Sequence, residues 1–275
     1  MLQEIQDYLL LILAGFIGGL LNTIASSGSA VTLPMMIFIG MPPTTANATN
    51  RLSLFLTFIT ATYKFHKAGL INWKKHLKLV PILVIGVLIG TIYVDSLSNN
   101  SVKKILAFAL CISILMIFFR SKALQEGKNS NLKNKISVGI IISTFLIGIW
   151  GGLIVLDVGI FMFLAFTTQQ GMSLAEANIQ KAVFMLFISG LSLLIFSIHQ
   201  EIDYLAGLIL SMGSVFGAFI GTRFTTNPAL KIWIFRILVL TIIFEVLKLI
   251  FDVYLYEFKT SHSIIPQSFS SFQMT

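Results

Sequence analysis

Long apolar runs separated by short polar turns cover most of the chain. Ten can be marked, at approximately 8–25, 29–41, 51–64, 78–95, 103–119, 136–156, 158–168, 179–198, 204–222 and 231–251. A helix that crosses a bilayer needs roughly 20 mostly apolar residues, and many of these runs meet that need. The second and seventh are too short to cross alone. Each follows a break, ASSGS at 25–29 and LDVG at 156–159, and each ends in a polar turn, GMPPTTAN at 40–47 and TTQQGMSLAEAN at 167–178. Irregular backbone at membrane depth is tolerated where it is buried in protein or lines a cavity. The pattern therefore predicts broken or re-entrant helices meeting near the middle of the protein. The plainer alternative is short helices packed in the bundle with no site between them.

Composition strengthens the membrane reading. The chain is 56% hydrophobic and 11% charged, whereas a soluble domain carries about 25% charged residues. So few charges cannot cover a water-exposed surface of this size, and lipid must be the solvent for much of it. The fold class expected is all-α, a multi-pass protein of the cell membrane. The net charge of +8 would suggest nucleic acid in a soluble protein. Here the basic residues fall in short loops, where they act as topology signals and as contacts for anionic lipid. The single cysteine, Cys111, excludes a disulfide or a Cys-based metal site within the chain. No His/Glu/Cys cluster has metal-ligand spacing, no Gly-Lys-Ser/Thr phosphate loop is present, and no cofactor is expected. The stretch MLQEIQDYLL has neither a basic n-region nor a small-residue cleavage site, so the first run reads as a retained helix.

Self-comparison finds an internal repeat. Adding 131 to a residue number pairs Gly28 with Gly159, Gly40-Met41 with Gly171-Met172, Ala46-Asn47 with Ala177-Asn178, and Gly86, Gly90 and Thr91 with Gly217, Gly221 and Thr222. Only the first helix needs a slip of two, Gly18-Gly19 pairing with Gly151-Gly152. The chain divides into a first repeat at 1–119, a basic linker at 120–135, a second repeat at 136–251 and a polar, Ser-rich tail at 252–275. Each repeat has about five helical segments, a recurrent construction in secondary transporters. The loop after the third segment carries Lys64, Lys67, Lys74, Lys75 and Lys78, while its counterpart at 197–204 carries Glu201 and Asp203 and no Lys or Arg. Positive loops stay in the cytoplasm, so the matching loops should lie on opposite faces and the repeats should be inverted.

Candidate chemistry clusters at the breaks. Ser26, Ser27, Gly28 and Ser29 precede a short apolar helix. A helix N-terminus leaves N–H groups free and attracts anions; glycine allows close approach. The serines could equally serve only as caps. Asn47, Thr49, Asn50 and Arg51 open the third segment, and Asn178, Gln180 and Lys181 open its counterpart. An amide beside a fixed cation suits an oxyanion, and inverted repeats could bring both sets to one central clamp. The alternative is that Arg51 and Lys181 snorkel to the interface. Asp157, next to Gly159 in the second break, either caps the helix that follows, pairs with a cation, or carries a coupling proton. Glu176 and the loop residues His66, His76 and His199 read as solvated.

The stretch GSAVTLPMMIFIGMPPTTANATNR (28–51) resembles the signature of the TauE/SafE family, the sulfite and organosulfonate exporter-like permeases, and GMSLAEANIQK (171–181) resembles that family's second-repeat pattern. The resemblance runs over roughly 10–250. It implies a carrier of small anions, chiefly sulfur oxyanions and sulfonates, with partners limited to that solute, membrane lipid and a coupling proton or ion. The residues alone leave other classes open: an anion channel, a carrier of a different small organic acid, a membrane-embedded enzyme, or an accessory subunit without transport.

Overall fold

The structure is a computed structural model, and it describes residues 2–24, 28–109, 111–112, 136–199 and 202–224. The described residues are helical, with no strand among them. In chain order the helices are α1 (Leu2–Ile24), α2 (Ser29–Phe38), α3 (Pro43–Lys67), α4 (Trp73–His76) and α5 (Val80–Asp95), then α6 at 99–109. After the linker come α7 (Val138–Leu153), α8 (Val158–Gln170), α9 (Leu174–Ile198) and α10 (Tyr204–Phe224). The linker at 120–135, the last apolar run at 231–251 and the tail lie outside the described residues.

Local chemistry sets several boundaries. Pro43 opens α3 in the first turn, where its missing N–H costs nothing. Ser173 caps α9 and forms a reciprocal box with Glu176. Both short helices end at a glycine in the left-handed region, Gly40 at φ 96 and Gly171 at φ 63, a conformation that favours glycine. α3 and α9 begin earlier than the apolar runs suggest. Asn47 to Arg51 and Asn178 to Lys181 therefore sit one to two turns inside these helices rather than at their openings.

The bundle holds polar and charged side chains within its apolar core and exposes large apolar side chains outside. Arg51, Lys181, Asn22, Asn47, Asn50, Asn178 and Thr32 are buried, whereas Leu13, Ile92, Leu194 and Phe216 are exposed. Only an apolar solvent favours that distribution. Among the described residues, three helices are long and apolar enough to cross a membrane: Gln3–Ile24, Ala175–Ile198 and Tyr204–Arg223.

The tightest crossings join opposite halves of the sequence. α1 packs most extensively on α10, and α5 on α7. In the first pair, Gly15 faces the Leu210 backbone and Gly19 that of Ser214, while Gly213 faces Ile12 and Gly217 faces Phe16. In the second, Gly86 faces Phe145, Gly90 faces Ile149, Gly148 faces Leu83 and Gly152 faces Val87. Residue numbers rise together in both pairs, so each is parallel. Missing side chains let the backbones touch, the small-residue packing that stabilises helices in lipid.

α3 and α9 form the central pair and run antiparallel. Thr49, near the start of α3, accepts a hydrogen bond from the Asp203 N–H beyond the end of α9, at 3.0 Å. Gln180, near the start of α9, donates to the His76 carbonyl beyond the end of α3, at 2.9 Å. Phe55 meets Gly190 between these points. The loops that follow α3 and α9 thus lie at opposite ends of the bundle.

Candidate functional site

The last carbonyls of a helix have no intrahelical partner. Where a helix ends inside a membrane protein, something must donate to them. α1 ends just before the first break and α7 just before the second, and in each case the donor is a buried cation from the other half. Arg51 of α3 donates through Nη1 to the Gly151 carbonyl at 2.6 Å. Its Nη2 donates to Gly152 at 3.0 Å, to Leu153 at 3.3 Å and to Asn47 Oδ1 at 3.4 Å. Asn47 Nδ2 adds a bond to the Leu153 carbonyl at 3.0 Å. Lys181 of α9 donates to the carbonyls of Asn22 at 2.7 Å and Thr23 at 3.4 Å in the last turn of α1. A cation is also favoured there by the helix dipole. Each cation lies near an aromatic face, Arg51 5.7 Å from the Phe196 centroid and Lys181 5.3 Å from that of Phe163.

The two cations therefore do not meet in one clamp. Arg51 lies level with Phe196 on α9, and fifteen residues of helix rise at 1.5 Å separate that level from Lys181, about 20 Å along the pair. Neither cation snorkels: Arg51 is 0% and Lys181 1% exposed. Each head group is held at an open helix end.

The other predicted residues divide between the two hairpins. In the first, the Gly28 N–H donates to Asn22 Oδ1 at 3.0 Å. A Cβ on Gly28 would run into the Gly18 carbonyl and the Asn22 amide, so the close approach that glycine permits is to α1. Gly28 itself holds the N-cap position of α2 and Ser29 its first turn, without a side-chain cap. Thr32 donates to Asn50 Oδ1 at 2.8 Å, and Asn50 Nδ2 donates to Ser29 at 3.4 Å. Ser26 and Ser27 lie outside the described residues. In the second hairpin, Asp157 takes the left-handed region at φ 54 before α8 and makes no side-chain capping bond, which corrects the capping expectation. Gly159 is buried in the first turn of α8. Asn178, 3% exposed, has no hydrogen-bond partner among the described residues at either Oδ1 or Nδ2.

Sequence reasoning missed Asn22, Thr32 and His76. Asn22 and Thr32 are single polar residues in apolar runs, and that is their only signal. His76 is not solvated but 3% exposed; its Nδ1 lies 2.6 Å from Gln180 Oε1. Beside it Lys75 pairs with Glu176 at 3.1 Å, and at the opposite end His199 lies 2.5 Å from Asp95. Gln180 and Glu176 thus tie the start of α9 to the loop after α3. A separate cavity of about 580 Å³ lies between α7 and α8, lined by Leu146, Trp150, Phe161, Leu164 and Gln169 among others, and its lining residues carry no charge. Among the described residues no group of three or more His, Cys, Asp or Glu side chains could hold a metal.

Burial holds the His76 imidazole below its ordinary pKa of 6.5; the Gln180 hydrogen bond opposes this and the Lys75 charge reinforces it. A base with a depressed folded pKa stabilises the fold above its unfolded value and loses that contribution as pH falls below it. The unfolding midpoint of detergent-solubilised protein should therefore drop as pH falls from about 7.5 to about 5. In His76→Gln this part of the drop should vanish; an unchanged profile refutes the assignment.

A helical bundle with buried polar groups, an apolar surface and two interrupted hairpins bound reciprocally by buried cations fits a membrane transporter. The chain matches the sulfite exporter TauE/SafE family over residues 11–247 and belongs to it. It is 28% identical over 215 residues to a probable membrane transporter protein of Haemophilus influenzae, covering 78% of this chain and 83% of that one. It is 26% identical over 234 residues to the probable membrane transporter protein ORF9 of a Sinorhizobium species, covering 84% and 88%. It is 24% identical over 222 residues to the probable membrane transporter protein YfcA of Escherichia coli, covering 81% and 82%. No solved structure matches the chain.

Proposed function

We propose that this chain is a multi-pass carrier of the cell membrane, built of two inverted repeats, that moves small anions, sulfite and related sulfur oxyanions or organosulfonates, by alternating access. The observation that carries the reading is the reciprocal binding of each interrupted hairpin by a buried cation of the other half, Arg51 at the end of α7 and Lys181 at the end of α1. A charge held at membrane depth is expensive and marks a solute path more often than a structural convenience. The antiparallel α3/α9 pair supports the inverted relation. Lys64, Lys67, Lys74, Lys75 and Lys78 gather around the loop after α3, which supports a cytoplasmic place for that end. The proposed solute contacts fall in groups along the path: Asn47, Thr49 and Arg51 at one end of the α3/α9 pair and Asn178, Gln180 and Lys181 at the other, with Ser26, Ser27, Gly28, Ser29 and Asn50 at the first break and Asp157 and Gly159 at the second. Lipid is the other partner, and a proton or ion gradient supplies the coupling.

The test is counterflow in proteoliposomes loaded with unlabelled sulfite, with and without a pH gradient. Saturable uptake of labelled sulfite, competed by sulfonates and reduced about tenfold or more in Lys181→Ala, is expected. Absent saturable anion uptake, or uptake indifferent to Lys181, refutes the reading. Unitary conductance in a planar bilayer would identify a channel instead.

A further inference from the structure

The two repeats treat one equivalent amide in opposite ways. Asn47 is fully engaged: its Nδ2 donates to the Leu153 carbonyl and its Oδ1 accepts from Arg51. Its counterpart 131 positions on, Asn178, is as deeply buried, yet both ends of its amide are unpaired among the described residues. Leaving a buried donor and acceptor unmade carries the desolvation penalty of both groups, so each end of the amide calls for a partner. Lys181 follows one turn later on the same face of α9, which places the two Cβ atoms about 5–6 Å apart.

The open amide constrains that partner. One end of it donates and the other accepts, and the statement is the same for either assignment of its oxygen and nitrogen. An oxyanion without protons can receive the N–H but would turn a second negative oxygen toward Oδ1. An oxyanion that keeps one O–H beside a charged oxygen satisfies both ends at once, while the Lys181 ammonium supplies the opposite charge. We infer that Asn178 is a specificity-determining residue that selects anions carrying an O–H next to a charged oxygen, hydrogen oxyanions over sulfonates. This rests on the anion-transport reading above and narrows the solute within it.

Methylphosphonate and methanesulfonate make the test. They share shape and, in a buffer acid enough to keep the phosphonate singly ionised, share charge; they differ in one O–H. Both are offered as competitors and as labelled substrates to proteoliposomes of the full chain. The wild type should prefer methylphosphonate at least about tenfold, because a site built to pair a hydroxyl rejects the analogue without one. Asn178→Leu should lose that preference, methylphosphonate uptake falling by a larger factor than methanesulfonate uptake. Asn178→Thr, with a single hydroxyl, should retain part of it, and thermal unfolding of each variant separates misfolding from lost selectivity. Equal wild-type use of the two anions overturns the inference and leaves anion transport standing, as does a variant that changes both equally, the result expected if water fills the site. Saturable uptake of neither anion nor sulfite overturns the transport reading, and this inference with it.

Discussion

Arg51→Ala is expected to cost about 3 kcal/mol or more of folding stability, among the largest effects available to one substitution here. The guanidinium is fully buried and donates to the carbonyls of Gly151, Gly152 and Leu153 and to Asn47. Truncation takes the guanidinium away from three backbone acceptors at membrane depth, of which Leu153 keeps the Asn47 bond and Gly152 the Thr91 hydroxyl at 3.3 Å. Arg51→Lys keeps the charge but loses the planar fork, and should fall between wild type and alanine. Chemical unfolding in detergent measures the difference. A variant that stays stable while its transport disappears would mean that Arg51 serves the solute directly and not the end of α7.

Gly90→Val should be as damaging by a different route. A Cβ at this position would overlap the Ile149 carbonyl and crowd the Leu153 amide, and valine adds two methyl groups beyond it. The α5/α7 backbones already touch through Gly86, Gly90, Gly148 and Gly152, so the helices must part along the whole seam. Overpacking of this kind costs typically about 1–3 kcal/mol, occasionally more. The shift would also carry the end of α7 away from Arg51 and disturb Thr91, which pairs with Ser192 at 2.8 Å. Ile89→Val, one residue away but exposed, is the control. Equal stability of the two variants would disprove the close crossing.

What could be read from the sequence was whatever depends on neighbours along the chain. The apolar runs gave the helices, and the breaks at 25–29 and 156–159 gave the two hairpins. Gly40 and Gly171 were visible as matching turn residues because a left-handed backbone favours the same residue wherever it occurs. Partners across the bundle were not readable. Arg51 and Lys181 stand out in the sequence as cations beside side-chain amides, but their partners are backbone carbonyls, which every residue possesses and no sequence pattern distinguishes. His76 looked like a loop residue because its burial depends on Gln180, 104 positions away. Asp157 holds the N-cap position of α8, yet its backbone is left-handed and its side chain makes no capping bond.

The glycine crossings also decide which parts can move as blocks. α1 comes from the first half of the sequence but is fastened to α10 of the second, and α5 is fastened to α7 in the same way. The halves are interlocked, like two hands with fingers laced. Swinging residues 1–119 as one body against the rest would tear both laced seams at backbone contact. Any cycle that keeps them intact must pivot on the looser joints, where α3 and α9 face each other through side chains.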